Sequence, residues 1–280
     1  MMLLTPNRLS RFILIWLLAW GAVVPVLHAT ESTSVKTTEW HGYTQLNFSV
    51  AGRDCLLVIP KNPAPGKPWI WRAEWFGDPH APQVDLALLE RGWHVAYMSA
   101  SDLYGAPKSI ALFDAYYRHV IEHHGLAKKF VMEGFSRGGL YAFNFAATYP
   151  ERVSAMYLDA PALDIKSWPG RQSPLWKECL AAYELTDAEA ATAKVSPLDR
   201  IEPVVRAGIP IFGVSGDADE AVAYEDNLAK LAKRYRALGG TVEVIVKPGG
   251  KHHPHSLPDP SPIVAFLEKY GRADSLHSRP

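Results

Sequence analysis

The 280-residue chain has very little cysteine: Cys55 and Cys179 are its only two, far apart in sequence. That excludes a disulfide framework and any Cys-x-x-Cys zinc or redox motif. Net charge is also missing, since 29 Lys and Arg balance 29 Asp and Glu. Without a positive excess there is no field to neutralise nucleic-acid phosphates or to hold an anionic membrane, so partners have to be argued from a site. Internal repeats and low-complexity tracts are absent, and 48% hydrophobic with 21% charged residues excludes disordered and collagen-like chains. Past the first 29 residues no apolar run is long enough to cross a bilayer.

Those 29 residues have a composition of their own. Arg8 and Arg11 precede an apolar run over 12–27, and the small residue Ala29 precedes a polar stretch. This is the order of a secretory signal peptide. The run falls short of the roughly 20 residues of a spanning helix, and Gly21 and Pro25 interrupt it. The expectation is a signal peptide over 1–29, a secreted or periplasmic location, and one domain over 30–280.

In that domain, apolar strand patterns alternate with helical ones. Strands are expected over 44–50 and 55–59 as an opening hairpin or meander, then over 69–75, 94–98, 130–134, 155–158, 211–214 and 242–246. Leu228, Leu231, Ala232, Tyr235 and Leu238 recur with helical spacing and are stopped by Gly239-Gly240; Ile110, Phe113, Tyr117, Val120 and Ile121 form a second stripe ended by Gly125. Strands separated by helices imply right-handed crossovers and a mostly parallel sheet of about eight strands with helices on both faces, an α/β fold. Residues 162–208 contain no convincing strand, and a structureless loop of that length is rare in a compact domain. A small helical insertion over one edge of the sheet is expected there.

The sharpest chemical signal is Gly134-Phe135-Ser136-Arg137-Gly138-Gly139, between the strand-like Phe130-Val131-Met132 and the helix-like Leu140-Tyr141-Ala142. A nucleophilic serine on a tight strand-to-helix turn needs tiny residues two before and two after it, so that the backbone can bend and the hydroxyl can project. Glycine stands at both places. A glycine-rich helix start without chemistry is the plainer alternative.

From this motif onward the chain resembles the α/β-hydrolase superfamily over most of the 30–280 region. The resemblance implies an α/β-hydrolase fold and a triad in the order nucleophile, acid, histidine. Gly216-Asp217-Ala218-Asp219-Glu220-Ala221-Val222 is similar to the family's Gly-x-x-Asp-x-x-Val loop and implies Asp219 as the acid, with Asp217 as its rival. Pro248-Gly249-Gly250-Lys251-His252 is similar to its Pro-Gly-x-x-His turn and implies His252 as the base, with His253 and His255 as rivals. The oxyanion hole is then expected from the backbone N–H of Arg137 and a donor in Arg72-Ala73-Glu74; Ala73 and Glu74 both remain open, with Glu74 adopted. For the Arg72 and Glu74 side chains, substrate contact competes with a local ion pair that braces the loop.

A second motif, His119-Val120-Ile121-Glu122-His123, fits the His-x-x-Glu-His pattern of inverted zinc peptidases. His119 lies roughly opposite the apolar stripe of its helix and is expected to point to solvent, so a solvated face is the expected reading. His252, His253 and His255 could also bind a metal, but no matching carboxylate cluster is evident in the sequence. No metal and no cofactor are expected.

Substrate is argued from aromatic residues. Trp69 and Trp71 are expected in the core. Trp75, Tyr104 and Trp168, with Arg72, are expected to line a pocket roofed by the insertion. Flat apolar faces beside polar groups suit sugar rings. The expectation is an exported serine hydrolase of carboxylic esters, resembling the carbohydrate-esterase and dienelactone-hydrolase-like branches, with acylated carbohydrates, small-molecule or oligosaccharide esters, as substrates. The rivals are a prolyl-oligopeptidase-type serine peptidase, whose large propeller domain this chain lacks, and a binding module that has lost activity.

Overall fold

A computed structural model describes residues 35–272, so the expected signal peptide lies outside the described residues. The elements run β1 (Lys36–Trp40), β2 (Tyr43–Val50), β3 (Arg53–Ile59), β4 (Trp69–Arg72), α1 (Gln83–Glu90), β5 (His94–Met98), α2 (Pro107–His124), β6 (Phe130–Phe135), α3 (Gly138–Thr148) and β7 (Val153–Asp159). After them come α4 (Trp176–Tyr183), α5 (Asp187–Ala190), α6 (Ile201–Arg206), β8 (Ile211–Gly216), α7 (Leu228–Ala237), β9 (Val242–Lys247) and α8 (Ser261–Gly271).

The nine strands form one sheet in the order β1-β2-β3-β5-β4-β6-β7-β8-β9. β1, β2 and β3 make an antiparallel meander that joins β5 antiparallel, while β4 to β9 are parallel. One strand more is present than the sequence pattern suggested. β1 is polar and exposed along most of its length, so it carries no alternation to detect. β4 is also shorter than expected, because the chain leaves the sheet after Arg72 to form a loop.

Every residue of β6 and β7 is buried, as parallel strands covered on both faces require. One face carries α2, α3 and α7 over Trp69, Trp71, Phe113, Phe130, Phe145 and Leu231. The other carries α1 and α8 over Ile70, Val95, Val131, Leu88 and Leu267. α3 is buried all round, since the sheet lies on one side and α2 and the insertion on the others. α2 begins at Pro107 and ends at Gly125, whose left-handed φ of 63° lets its N–H return to the Ile121 carbonyl.

The 162–208 segment holds α4, α5 and α6 and no strand. It is stitched to the α3 side of the core rather than laid over a sheet edge: the Tyr183 hydroxyl donates to the Tyr104 carbonyl at 2.9 Å, and Asn144 donates to the Tyr183 hydroxyl at 3.3 Å. Cys179 in α4 and Cys55 in β3 are both buried and unpaired, and burial pushes each thiol up to about 12. Among the described residues no helix is long and apolar enough to cross a membrane.

Candidate active site

The carboxyl ends of parallel strands are where open α/β sheets gather their chemistry. Here β6, β8 and β9 deliver Ser136, Asp219 and His252 to one place. Ser136 follows β6 with a left-handed φ of 49°, a conformation that costs a non-glycine residue about 1–3 kcal/mol. Three backbone hydrogen bonds hold it there: the Ser136 N–H donates to the Asp159 carbonyl at 2.9 Å, and the Ser136 carbonyl accepts from Ala162 at 2.8 Å and Gly139 at 3.0 Å. The flanking glycines are demanded by close approach. A Cβ on Gly134 would lie 2.9 Å from the Ala142 Cβ and from the Gly138 carbonyl oxygen, and one on Gly138 would lie 3.0 Å from the Glu74 Cβ.

His252 Nε2 stands 2.9 Å from Ser136 Oγ, and its Nδ1 stands 2.7 Å from Asp219 Oδ2. The other Asp219 oxygen accepts the N–H groups of Ala221 and Val222 at 2.9 and 2.8 Å. The carboxylate is therefore held in place by its own loop, independently of the imidazole. With Asp219 on its Nδ1, His252 presents Nε2 as the acceptor for the Ser136 hydroxyl. The rival Asp217 does other work: its Oδ1 accepts the Gly249 N–H at 2.6 Å and ties the two loops together.

The loop after β4 is held from inside. Arg72, 1% exposed, bonds to Asp85, donates from Nη2 to the His80 carbonyl at 2.6 Å and from Nε to the Trp75 carbonyl at 2.9 Å. Its guanidinium also lies 4.5 Å from the Phe135 ring centroid. Arg72 therefore cannot contact a substrate; it is a buried brace, and its partner is Asp85 rather than Glu74. The Ala73 N–H donates to the Glu133 carbonyl at 2.9 Å, which removes Ala73 as an oxyanion donor. The Glu74 amide nitrogen lies against Gly138, since a Cβ there would be 3.5 Å away from it. The Glu74 side chain accepts from Arg137 Nε at 2.7 Å and from Ser101 Oγ at 2.6 Å. Burial raises its pKa, and Arg137 and Ser101 oppose that rise.

The cavity over Ser136 is small, about 160 Å³, and is lined by Trp75, His80, Ser136, His252, His253 and His255. Of the aromatic residues expected in the pocket, only Trp75 is there. Tyr104 is 2% exposed and donates its hydroxyl to Glu178 at 3.0 Å, so it anchors α4. Trp168 is half-buried and packs 6.2 Å from the Tyr104 ring. The Arg137 guanidinium lies 4.8 Å from the Trp75 ring and 5.5 Å from that of Tyr104. These contacts turn Tyr104 and Trp168 into packing between the turn at Ser136 and the insertion.

Two features of the site escaped the sequence reading. His80 lines the cavity, and its pKa is lowered by burial and by the nearby Arg72 and His255. A second Asp–His pair lies beside the first: His255 Nδ1 is 2.7 Å from Asp159 Oδ1, and Asp159 Oδ2 accepts from the Ser256 N–H at 2.8 Å and the Tyr157 hydroxyl at 2.9 Å. The available signal was position, since Asp159 ends the strand next to the one that carries Ser136. The His119 motif behaves differently from expectation. His119 is half-buried and stacks 4.9 Å from Phe48 of β2, and burial with His123 and His124 lowers it to about 4.

A sequence model described as the alpha/beta hydrolase fold matches residues 40–180, and one described as the prolyl oligopeptidase family matches residues 113–270. No curated protein matches the chain significantly. Among solved structures, a cold-adapted esterase from an Arctic intertidal metagenomic library superposes with a TM-score of 0.58 at 15% identity, covering 86% of this chain and 100% of its own. Est1E from Butyrivibrio proteoclasticus gives 0.57 at 18% identity, covering 84% and 98%. Pyrococcus horikoshii acylaminoacyl peptidase gives 0.60 at 14% identity, covering 85% of this chain but 42% of that one. At such identities the likeness is one of fold.

Proposed function

Because the chain belongs to the α/β-hydrolase superfamily, we propose that it is an exported serine hydrolase of carboxylic esters that works through Ser136, His252 and Asp219. The observation that carries the reading is the unbroken line Ser136 Oγ, His252 Nε2, His252 Nδ1, Asp219 Oδ2, with contacts of 2.9 and 2.7 Å. In this mechanism Ser136 Oγ attacks the ester carbonyl while His252 Nε2 takes its proton. The imidazolium then protonates the departing alkoxide, leaving an acyl-serine. Water adds to the acyl-serine by the reverse relay and releases the acid and free Ser136.

Asp219 holds the imidazole tautomer and balances the transient imidazolium. The N–H of Arg137, the residue after the nucleophile, and that of Glu74 are the oxyanion donors of this reading; the removal of Ala73 from contention supports Glu74. No cofactor enters any step.

The small cavity lined by Trp75 and imidazoles supports a short acyl group. The alcohol proposed is a sugar hydroxyl, supported now by the half-exposed Trp75 alone, since Tyr104, Trp168 and Arg72 are committed elsewhere. A second reading, a serine peptidase, is supported by the prolyl oligopeptidase model over 113–270. Both use the same serine chemistry and differ in leaving group.

Ser136→Ala is expected to lower kcat by about 10⁴-fold or more and to abolish labelling by a fluorophosphonate, with circular dichroism unchanged. Retained turnover in the variant would defeat the serine mechanism. A panel of acetylated oligosaccharides, aryl acetates, long-chain triglycerides and peptidyl amides, compared by kcat/KM, separates the two leaving groups. Preference for the amides would favour the peptidase.

A further inference from the structure

His255 needs a function of its own. It is buried and is held by Asp159 as firmly as His252 is held by Asp219, yet it is His252 and not His255 that hydrogen-bonds to Ser136. Its ring lies 4.8 Å from that of His252 and 4.7 Å from that of the exposed His253. All three line the cavity over Ser136. One ring nitrogen from each lies within 4.8 Å of the others, and these three are the group of metal-capable side chains found among the described residues.

We propose that His252, His253 and His255 form a binding site for a zinc-like divalent transition metal, and that occupancy shuts off the serine. Neutral imidazoles are the natural ligands of such ions. Metal-binding histidines characteristically give their other ring N–H to a carboxylate, which fixes the ring and raises its donor strength. Two of the three do so here: the Nδ1 atoms of His252 and His255 are taken by Asp219 and Asp159, which leaves Nε2 as the ligand atom of each. The carboxylates that the local sequence did not supply arrive from β7 and from the loop after β8.

A tetrahedral ion with Zn–N of about 2.0–2.1 Å sets neighbouring nitrogens about 3.4 Å apart. A pair at the 4.8 Å extreme therefore closes by about 1.4 Å. His252 and His255, each fixed at Nδ1 by a carboxylate, form the preset pair, and the exposed His253 is free to complete the site by side-chain rotation. Water takes the fourth position. His252 Nε2 cannot hold the metal and accept the Ser136 proton together, so binding and serine activation exclude each other. That consequence rests on the role proposed for His252; the metal site itself does not.

The test uses the full chain, zinc chloride, calorimetry and the visible spectrum of the cobalt(II) form. One zinc per chain is expected, with a cobalt spectrum of low coordination number. His253→Ala is expected to weaken binding at least about tenfold with the fold intact, because that side chain is exposed. Ser136→Ala is expected to keep the site, and so is His123→Ala, which removes the exposed member of the other histidine motif. Zinc is expected to slow fluorophosphonate labelling of Ser136 in step with occupancy, and His253→Ala to shift that inhibition to at least about tenfold higher zinc. No zinc uptake, undiminished uptake by His253→Ala, or uptake lost in His123→Ala would overturn the site. Uptake without any slowing of labelling would overturn the switch. Should the protein neither label nor hydrolyse esters, the proposed function fails while calorimetry still reads the site.

Discussion

Two Asp–His pairs stand side by side at the carboxyl edge of the sheet, and chemically they are almost the same object. In each, a buried carboxylate binds an imidazole Nδ1 at 2.7 Å, and its other oxygen accepts two further hydrogen bonds. They differ in what the imidazole meets. His252 meets Ser136 at 2.9 Å, whereas the nearest ring to His255 is another histidine. A carboxylate–imidazole pair is thus a means of fixing a ring; the atom beyond Nε2 decides its chemistry.

The largest effect that tests this contrast is on turnover. Asp219→Asn is expected to lower kcat by about 10³–10⁴-fold by letting His252 take the wrong tautomer, whereas Asp159→Asn lowers it less than about tenfold. Steady-state kinetics on an aryl acetate compares the two directly. If Asp159→Asn proves the more damaging, the two pairs have been assigned in reverse.

Next comes stability, where the order changes. Arg72→Met leaves Asp85, 1% exposed, and the neighbouring Glu133 without their cation, and breaking a buried pair of this kind costs about 3–5 kcal/mol. Asp159→Asn keeps most of its hydrogen-bonding capacity, so about 1–3 kcal/mol is expected. Urea denaturation is the measurement. A small loss in Arg72→Met would mean that the loop after β4 is not held by this brace.

The smallest expected effect at neutral pH uses a third histidine, one that has no carboxylate. His94 is 4% exposed, with Nδ1 3.4 Å from the Pro68 carbonyl, and burial lowers it from the ordinary 6.5 to about 4. Between these values the unfolded chain binds more protons than the folded one, so stability declines as pH falls from about 6.5 towards about 4 and is fully present above. His94→Phe is expected to flatten that part of the stability profile. An unchanged slope would assign the acid sensitivity to other groups.

Much of this was legible in the sequence because the signals were local. The sheet could be read from its alternation with helices, except β1, whose exposed residues carry no apolar pattern, and the end of β4, where Ala73 and Trp75 continue the apolar alternation past the point at which the chain leaves the sheet. Ser136 could be read because a left-handed serine demands small neighbours within four positions. His252 and Asp219 could be read by resemblance, from turn residues at set distances. Tyr104, Trp168 and Arg72 were read as pocket residues because an aromatic or cationic residue on a loop gives the same local signal whether it faces a ligand or a neighbouring helix.

By itself, then, the sequence determined the elements, the turn that projects Ser136 and the chain order of the residues gathered around it, since each depends on contacts within a few positions. Only the tertiary structure decided which side chains share a cavity. Asp159 and His255 are 96 positions apart, Arg72 finds Asp85 in α1 across the loop after β4, and Tyr104 reaches Glu178 from another part of the chain. Such partners are selected by which buried charge or hydroxyl must be satisfied once the layers close, and no local pattern records that choice.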